Sequence, residues 1–322
     1  LLKQFKLLFI TISIMGIFMT LCSYTWMGMW IGLEVNLISF IPLMKSLKNS
    51  KESEASVKYF IIQAMTSSIL IFSIIIMMNT LEFLNSKFFM IMALLTKMGA
   101  SPFHFWFPSI MEGLNWNQAF LLSTLQKMAP MSMLFSLINE FIMPLIILNL
   151  MVGGLMGMSN VQLKVIMAYS SINHMGWMMS ALLMSMETWL MYFVIYSLIT
   201  MSIMKSFELA NLNNIGQLME YKYMKITMMN FISLAGMPPL MGFYPKWIII
   251  KLMIMKSMYM YSFLMMMITL ISIYYYLQFI TSSLIFYSST FKKKINFKMK
   301  ITLLNYFMLM SFMLIPSLFL LT

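Results

Sequence analysis

The sequence contains no aspartate and no arginine; its nine acidic residues are all glutamate and its 21 strong bases are all lysine. It holds one cysteine, Cys22, and two histidines, His104 and His174. An iron–sulfur cluster takes about four thiolates, and haem takes axial ligands within a pocket. No zinc-ligand spacing, phosphate loop or nucleotide fingerprint accompanies these few residues. The chain is therefore expected to bind no cofactor or metal and to catalyse no bond chemistry alone. The lack of arginine excludes a presequence of the ordinary arginine-rich kind, and the N-terminal LLKQFKLLFITISIMG reads as a first span that is retained. Charge of either sign is scarce, at 9% of residues against roughly 25% in soluble domains. The net charge is +12, but the lysines fall in short loops rather than on one soluble face, so no nucleic-acid partner is expected.

Hydrophobic residues make up 61% of the chain, and the mean hydropathy is +0.87. Apolar runs of about 20 residues, the length of a bilayer-crossing helix, recur from end to end. The fold class is an all-α polytopic membrane protein, with residues 1–322 forming a single transmembrane domain. Eleven transmembrane helices are expected, at 4–21, 24–46, 57–79, 87–107, 118–137, 141–157, 161–183, 187–210, 223–253, 258–287 and 300–321. The ninth is too long for one straight helix and contains Pro238-Pro239, which predicts two half-helices. The loop lysines give an orientation. Lys3, Lys6, Lys45, Lys48, Lys51, Lys58, Lys164, Lys222, Lys225, Lys292, Lys293, Lys294, Lys298 and Lys300, fourteen in all, fall on the side of the N-terminus. Lys87, Lys251 and Lys256 fall on the other. The positive-inside rule makes the first side cytoplasmic or matrix. Trp26, Trp116 and Trp189, near span ends, read as interface anchors. The 45 methionines suit a lipid-facing surface.

Lys97, Lys127, Lys205 and Lys246 remain inside spans, as does Glu34. A charge at the bilayer centre costs at least about 2.5–3.5 kcal/mol, so such groups are functional or paired. At about 1.5 Å per residue, Glu34, Lys97 and Lys127 lie roughly 14–15 Å deep, near the midplane. The plain structural account of Glu34 and Lys97 is an ion pair between neighbouring helices. Lys127 is offered no further acid at its depth, because Glu112 and Glu140 lie near opposite span ends. Burial without a counter-charge penalises the charged form, so a proton can leave and return near neutral pH. Lys127 is thus the leading candidate for a proton carrier. Lys205, near a span end and three residues before Glu208, reads as snorkelling or locally paired.

Two interruptions stand out: Lys97-Met98-Gly99-Ala100-Ser101-Pro102 in the fourth span, and Ala235-Gly236-Met237-Pro238-Pro239, upstream of Lys246, in the ninth. Irregular backbone at membrane depth is tolerated only where it is buried in protein or lines a hydrated cavity. The two are five spans apart and so cross in opposite directions, the arrangement of an inverted repeat. On this reading each break wets a lysine that exchanges protons. His174, in the run Tyr169-Ser170-Ser171-Ile172-Asn173-His174, and His104 are further candidates for a relay. Helix packing by small polar residues is the competing account of the first. Glu112, in the loop after Trp106-Phe107-Pro108, reads as an interfacial contact.

The stretches LLTKMGASPFHFWFPSIMEGLNW, LQKMAPM, MAYSSINHMGWM and SLAGMPPLMGFYPKW, with GLEVN near the N-terminus, resemble the antiporter-like subunit 2 family of mitochondrial NADH:ubiquinone oxidoreductase, respiratory complex I. The order and spacing match along essentially the whole chain, and the methionine content resembles invertebrate members. The resemblance implies an antiporter-like fold with an inverted repeat and two broken helices. It also implies eleven helices in animals that lack the first three, and an N-terminus in the matrix of the mitochondrial inner membrane, with the C-terminus on the intermembrane-space side. It implies Glu34 and Lys97 as a coupled ion pair, Lys127 as the central lysine and Lys246 as the lysine toward the exit. It further implies that NADH, FMN, iron–sulfur clusters and ubiquinone belong to partner subunits. The expected partners are the other membrane-arm subunits and lipids, cardiolipin among them. A cation/proton antiporter subunit is the alternative. The chain departs from the family pattern at Ala235-Gly236-Met237, where a Gly-Gly pair is common, and at Ser159–Val165.

Overall fold

A computed structural model describes residues 2–45, 49–79, 83–138, 142–218, 224–238 and 240–289. The expected span at 300–321, Glu140, Pro239, Lys48, Lys222 and the lysines from Lys292 onward lie outside the described residues. Contacts gather the chain into two compact units, Leu1–Ile142 and Met143–Thr322. The first holds α1 (Leu2–Cys22), α2 (Trp26–Met44), α3 (Ser50–Asn79), α4 (Phe83–Met98), α5 (Trp106–Gly113), α6 (Trp116–Ser123) and α7 (Leu125–Phe135). Among the described residues, five helices are long and apolar enough to cross a membrane: Gln4–Cys22, Trp26–Met44, Ser50–Met78, Met186–Ala210 and Tyr259–Gln278.

The first unit is built with its polar side chains inward. On α3, Tyr59, Gln63, Thr66, Ser67 and Ser73 are buried, whereas Phe60, Ile61, Met65 and Phe72 are exposed. Lipid cannot hydrogen-bond a polar group, so this helix turns its polar stripe to the protein and its apolar face outward. α2 starts where Thr25 Oγ1 accepts from the Gly28 amide at 3.2 Å, an N-cap. It then packs on α1 through paired glycines. A Cβ on Gly32 would stand 2.6 Å from Thr20 Cγ2 and 2.8 Å from the Gly16 carbonyl oxygen. Close approach through small residues is how helices associate in lipid. Gly32→Val is expected to destabilise the unit by about 1–3 kcal/mol through overpacking, read as a lower denaturation temperature and less assembled protein.

Three expectations are corrected. Residues 118–137 do not form one helix: α6 stops at Ser123, Thr124 sits at φ −119° and ψ −80°, and α7 begins at Leu125. The Thr124 hydroxyl donates to the Phe120 carbonyl at 2.7 Å, competing with the helical ladder. Downstream, Pro130 has no N–H to give the Gln126 carbonyl. Nor does Glu112 lie in a loop after Trp106-Phe107-Pro108, since all four residues belong to α5. Pro108 lies in its first turn, where a missing N–H costs nothing. Trp116 and Trp189, expected as interface anchors, are buried within the protein.

The second unit holds α8 (Ile142–Met158), α9 (Leu163–Met184), α10 (Met186–Ala210), α11 (Ile215–Leu218), α12 (Met224–Ala235), α13 (Phe243–Met255) and α14 (Tyr259–Ser289). α9 is its axis: every residue from Ser170 to Leu182 is buried. α8 lies close enough that a Cβ on Gly153 would meet the Asn173 amide nitrogen at 2.6 Å. α10 ends on Asn211, which takes the left-handed conformation at φ 51° that asparagine tolerates better than most residues.

Candidate functional site

The end of α4 answers why a lysine precedes a glycine. Gly99 has φ +68°, a conformation that only glycine adopts at no cost. Its amide bonds the Thr96 carbonyl at 3.1 Å and the Ala100 amide bonds the Leu95 carbonyl at 2.9 Å, which makes a Schellman C-cap. Two carbonyls of the last turn also receive side chains: Trp106 Nε1 donates to the Thr96 oxygen at 3.0 Å, and Gln63 Nε2 to the Lys97 oxygen at 3.2 Å. Lys97 thus stands at the negative end of α4. Its Nζ lies 3.6 Å from Glu34 Oε1 of α2, with side-chain exposures of 3% for Lys97 and 23% for Glu34.

Lys127 occupies the first turn of α7, just past the irregular Thr124, with its amide on the Thr124 carbonyl at 3.0 Å. This is the positive end of a helix, the opposite setting from Lys97. The side chain is buried, and Nζ lies 4.9 Å from the centroid of the Phe107 ring, within cation–π reach. A Cβ on Gly99 would come within 2.9 Å of Phe107 Cβ, so the α4 break is also what lets Phe107 settle beside Lys127.

The two lysines share the wall of a cavity of mixed lining, whose apolar part includes Leu33, Leu37, Phe107 and Leu122. Lys97, Lys127, Tyr59, Gln63, Asn36 and Gln126 contribute to its wall. It measures about 20 Å³, and about 10–15 Å³ admits one water. Asn36 Nδ2 donates to Gln126 Oε1 and Gln126 Nε2 to Asn36 Oδ1, both at 3.0 Å. The Tyr59 hydroxyl donates to the same Gln126 oxygen at 3.3 Å.

The second unit repeats the capped end. Gly236 has φ +79°; its amide bonds the Ser233 carbonyl at 3.1 Å, and the Met237 amide reaches the Ile232 carbonyl at 3.5 Å. Lys246 Nζ, from α13, donates to the freed Ala235 carbonyl at 2.9 Å and stands 5.5 Å from the Trp177 ring centroid. One turn along α9 from Trp177, His174 Nδ1 and the Tyr192 hydroxyl are hydrogen bonded at 2.7 Å, with Tyr196 against the other part of the ring at 4.9 Å between centroids.

The structure therefore brings Glu34, Lys97 and Lys127 into one region of the first unit, and Lys246 and His174 into one face of α9 in the second. His104 is not on the cavity wall. It sits in the bend after α4, buried, with Nδ1 3.2 Å from the Pro102 carbonyl oxygen and its ring against Phe105. The sequence reading passed over Asn36, Tyr59, Gln63 and Gln126. Their signal was present as polar residues at helical spacing on α3, and as amides beside Glu34 and Lys127.

A transmembrane family described as NADH:quinone oxidoreductase/Mrp antiporter matches residues 23–273. The chain is 40% identical to NADH-ubiquinone oxidoreductase chain 2 of Anopheles gambiae over 84% of its own length and 83% of that protein's. The chain belongs to the NADH-ubiquinone oxidoreductase chain 2 family. The chain 2 protein of Ovis aries is 34% identical over 96% of each chain. In fold the chain is similar to one from respiratory complex I of Thermus thermophilus, with a TM-score of 0.82 at 20% identity, covering 98% of this chain and 77% of that one. It is also similar in fold to a chain of the Mrp complex from Dietzia, with a TM-score of 0.70 at 14% identity, covering 85% and 59%.

Proposed function

We infer that this chain is a proton-translocating membrane-arm subunit of respiratory complex I, in which buried lysines pass protons while partner subunits oxidise NADH and reduce ubiquinone. The observation that carries this reading is the cavity that Lys97 and Lys127 share in a member of this family. Lys97 rests at a helix end that favours an ammonium, next to Glu34. When Lys97 leaves Glu34 and turns to the cavity, its charge acts on Lys127. At an effective dielectric of about 20, a unit charge at about 6–8 Å contributes about 2–3 kcal/mol, enough to expel the Lys127 proton. The family resemblance carries that proton onward to Lys246 and the opposite side. NADH, FMN, iron–sulfur clusters and ubiquinone remain with partner subunits. A Schellman end in each unit, at Gly99 after Lys97 and at Gly236 against Lys246 of α13, supports an inverted repeat with two broken helices and eleven spans. The fourteen-to-three lysine bias supports an inner-membrane orientation with the N-terminus in the matrix.

Reconstitution of the intact complex in liposomes tests the reading against the antiporter alternative. NADH and quinone together are expected to drive proton uptake that is indifferent to sodium and stops when quinone reduction is blocked. Sodium-dependent proton exchange without NADH would favour the antiporter.

A further inference from the structure

We infer that the Asn36–Gln126 amide pair is a gate between Lys97 and Lys127, closed by its two reciprocal hydrogen bonds and opened when the Lys97 ammonium turns into the cavity. This deepens the reading of Lys127 as a proton carrier and rests on it.

The placement carries the argument. Asn36 follows Glu34 by two residues on α2, and Gln126 precedes Lys127 on α7, so the pair ties the backbone of the acid to the backbone of the carrier. Both amides and both lysines line the same cavity. Asn36 and Gln126 exchange donor and acceptor at 3.0 Å in each direction. Each amide has two N–H donors and two oxygen lone pairs, so the closed pair leaves one donor of each free to bind water. The amides cannot titrate and serve instead as positioning residues.

The wall supplies a stator. Tyr59 and Gln63 stand one turn apart on α3, both buried. Tyr59 holds the Gln126 oxygen at 3.3 Å and Gln63 holds the Lys97 carbonyl at 3.2 Å. One helix face thus holds the Gln126 end of the pair and the backbone that carries Lys97. An ammonium entering the cavity offers three N–H donors, and charge-assisted hydrogen bonds to the amide oxygens outcompete neutral amide–amide ones. The reciprocal pair parts, and the space between admits water to Lys127. With the pair closed the cavity of about 20 Å³ holds about one water, and parting the pair makes room for the rest of the path.

The test compares Asn36→Leu, Gln126→Leu, the exchange Asn36→Gln with Gln126→Asn, and Lys127→Met in the intact complex reconstituted in liposomes. Protons moved per NADH oxidised and the amount of assembled complex are read for each. Leucine at either position is expected to lower protons per NADH at least threefold in assembled complex, and the exchange to restore at least half. Leucine variants that assemble and pump normally while Lys127→Met does not would overturn the gate and spare the carrier. Failure of the exchange to restore pumping in assembled complex would also overturn the gate. Normal pumping by Lys127→Met would remove the carrier reading itself. If the variants do not assemble, density maps of the unmodified complex during turnover decide. An Asn36–Gln126 pair parted by water in at least one state supports the gate, and a closed pair in every state overturns it.

Discussion

Replacing Lys127 with methionine is expected to leave the respiratory complex assembled and to lower NADH-driven proton translocation at least tenfold. Methionine matches lysine in length and is apolar, so the buried site beside Phe107 accepts it, and removing a buried ammonium removes its desolvation cost. What is lost is the resident base. A proton crossing this stretch without one is an isolated charge in hydrocarbon, at least about 2.5–3.5 kcal/mol uphill. Since about 1.4 kcal/mol is a factor of ten in rate, a tenfold loss is a lower bound. Proton uptake by liposomes and native-gel quantification of assembled complex measure the two quantities separately. A subunit that merely spaces its neighbours would show no loss.

The second large effect concerns Glu34 and Lys97, and it is asymmetric. Removing one partner of a buried ion pair costs about 3–5 kcal/mol, because a charge is left uncompensated. Glu34→Gln strands an ammonium whose side chain is 3% exposed, whereas Lys97→Met strands a carboxylate that is 23% exposed. Glu34→Gln is therefore expected to lower the denaturation temperature and the assembled fraction more than Lys97→Met does. The double variant should assemble better than Glu34→Gln alone, yet translocate no better than Lys97→Met. Additive losses of stability in the double variant would show that the pair is not coupled across its 3.6 Å separation.

Much of this was legible from composition. Apolar runs, the lysine bias and the isolated charges follow from the cost of charge in lipid, which acts on every residue of every span. Gly99 and Gly236 were legible for a local reason: a glycine followed within three residues by proline interrupts an apolar run at each, and the structure supplies the Schellman bonds. The interruption at Thr124 was not legible. Threonine is common in membrane helices, and a hydroxyl bonded to the carbonyl four residues back, as at Thr124, also occurs at Thr200 inside the unbroken α10. The short helix α5 was hidden by Pro108, which reads as a breaker until its place in a first turn is known. The amide pair was out of reach because its members are 90 residues apart, and nothing local to either names the other. His104, a candidate relay by residue type alone, lies in the bend after α4 and off the cavity wall.

The central claim is that Lys127 gives up and regains a proton, rather than serving as a fixed positive charge. Arginine at position 127 separates the two, since its side chain is close to lysine in volume but stays protonated in proteins. The measurement is protons moved per NADH by the assembled complex carrying Lys127→Arg. Loss as deep as that of Lys127→Met is the expected result; the unmodified stoichiometry, kept with a permanent charge in place, would contradict the account.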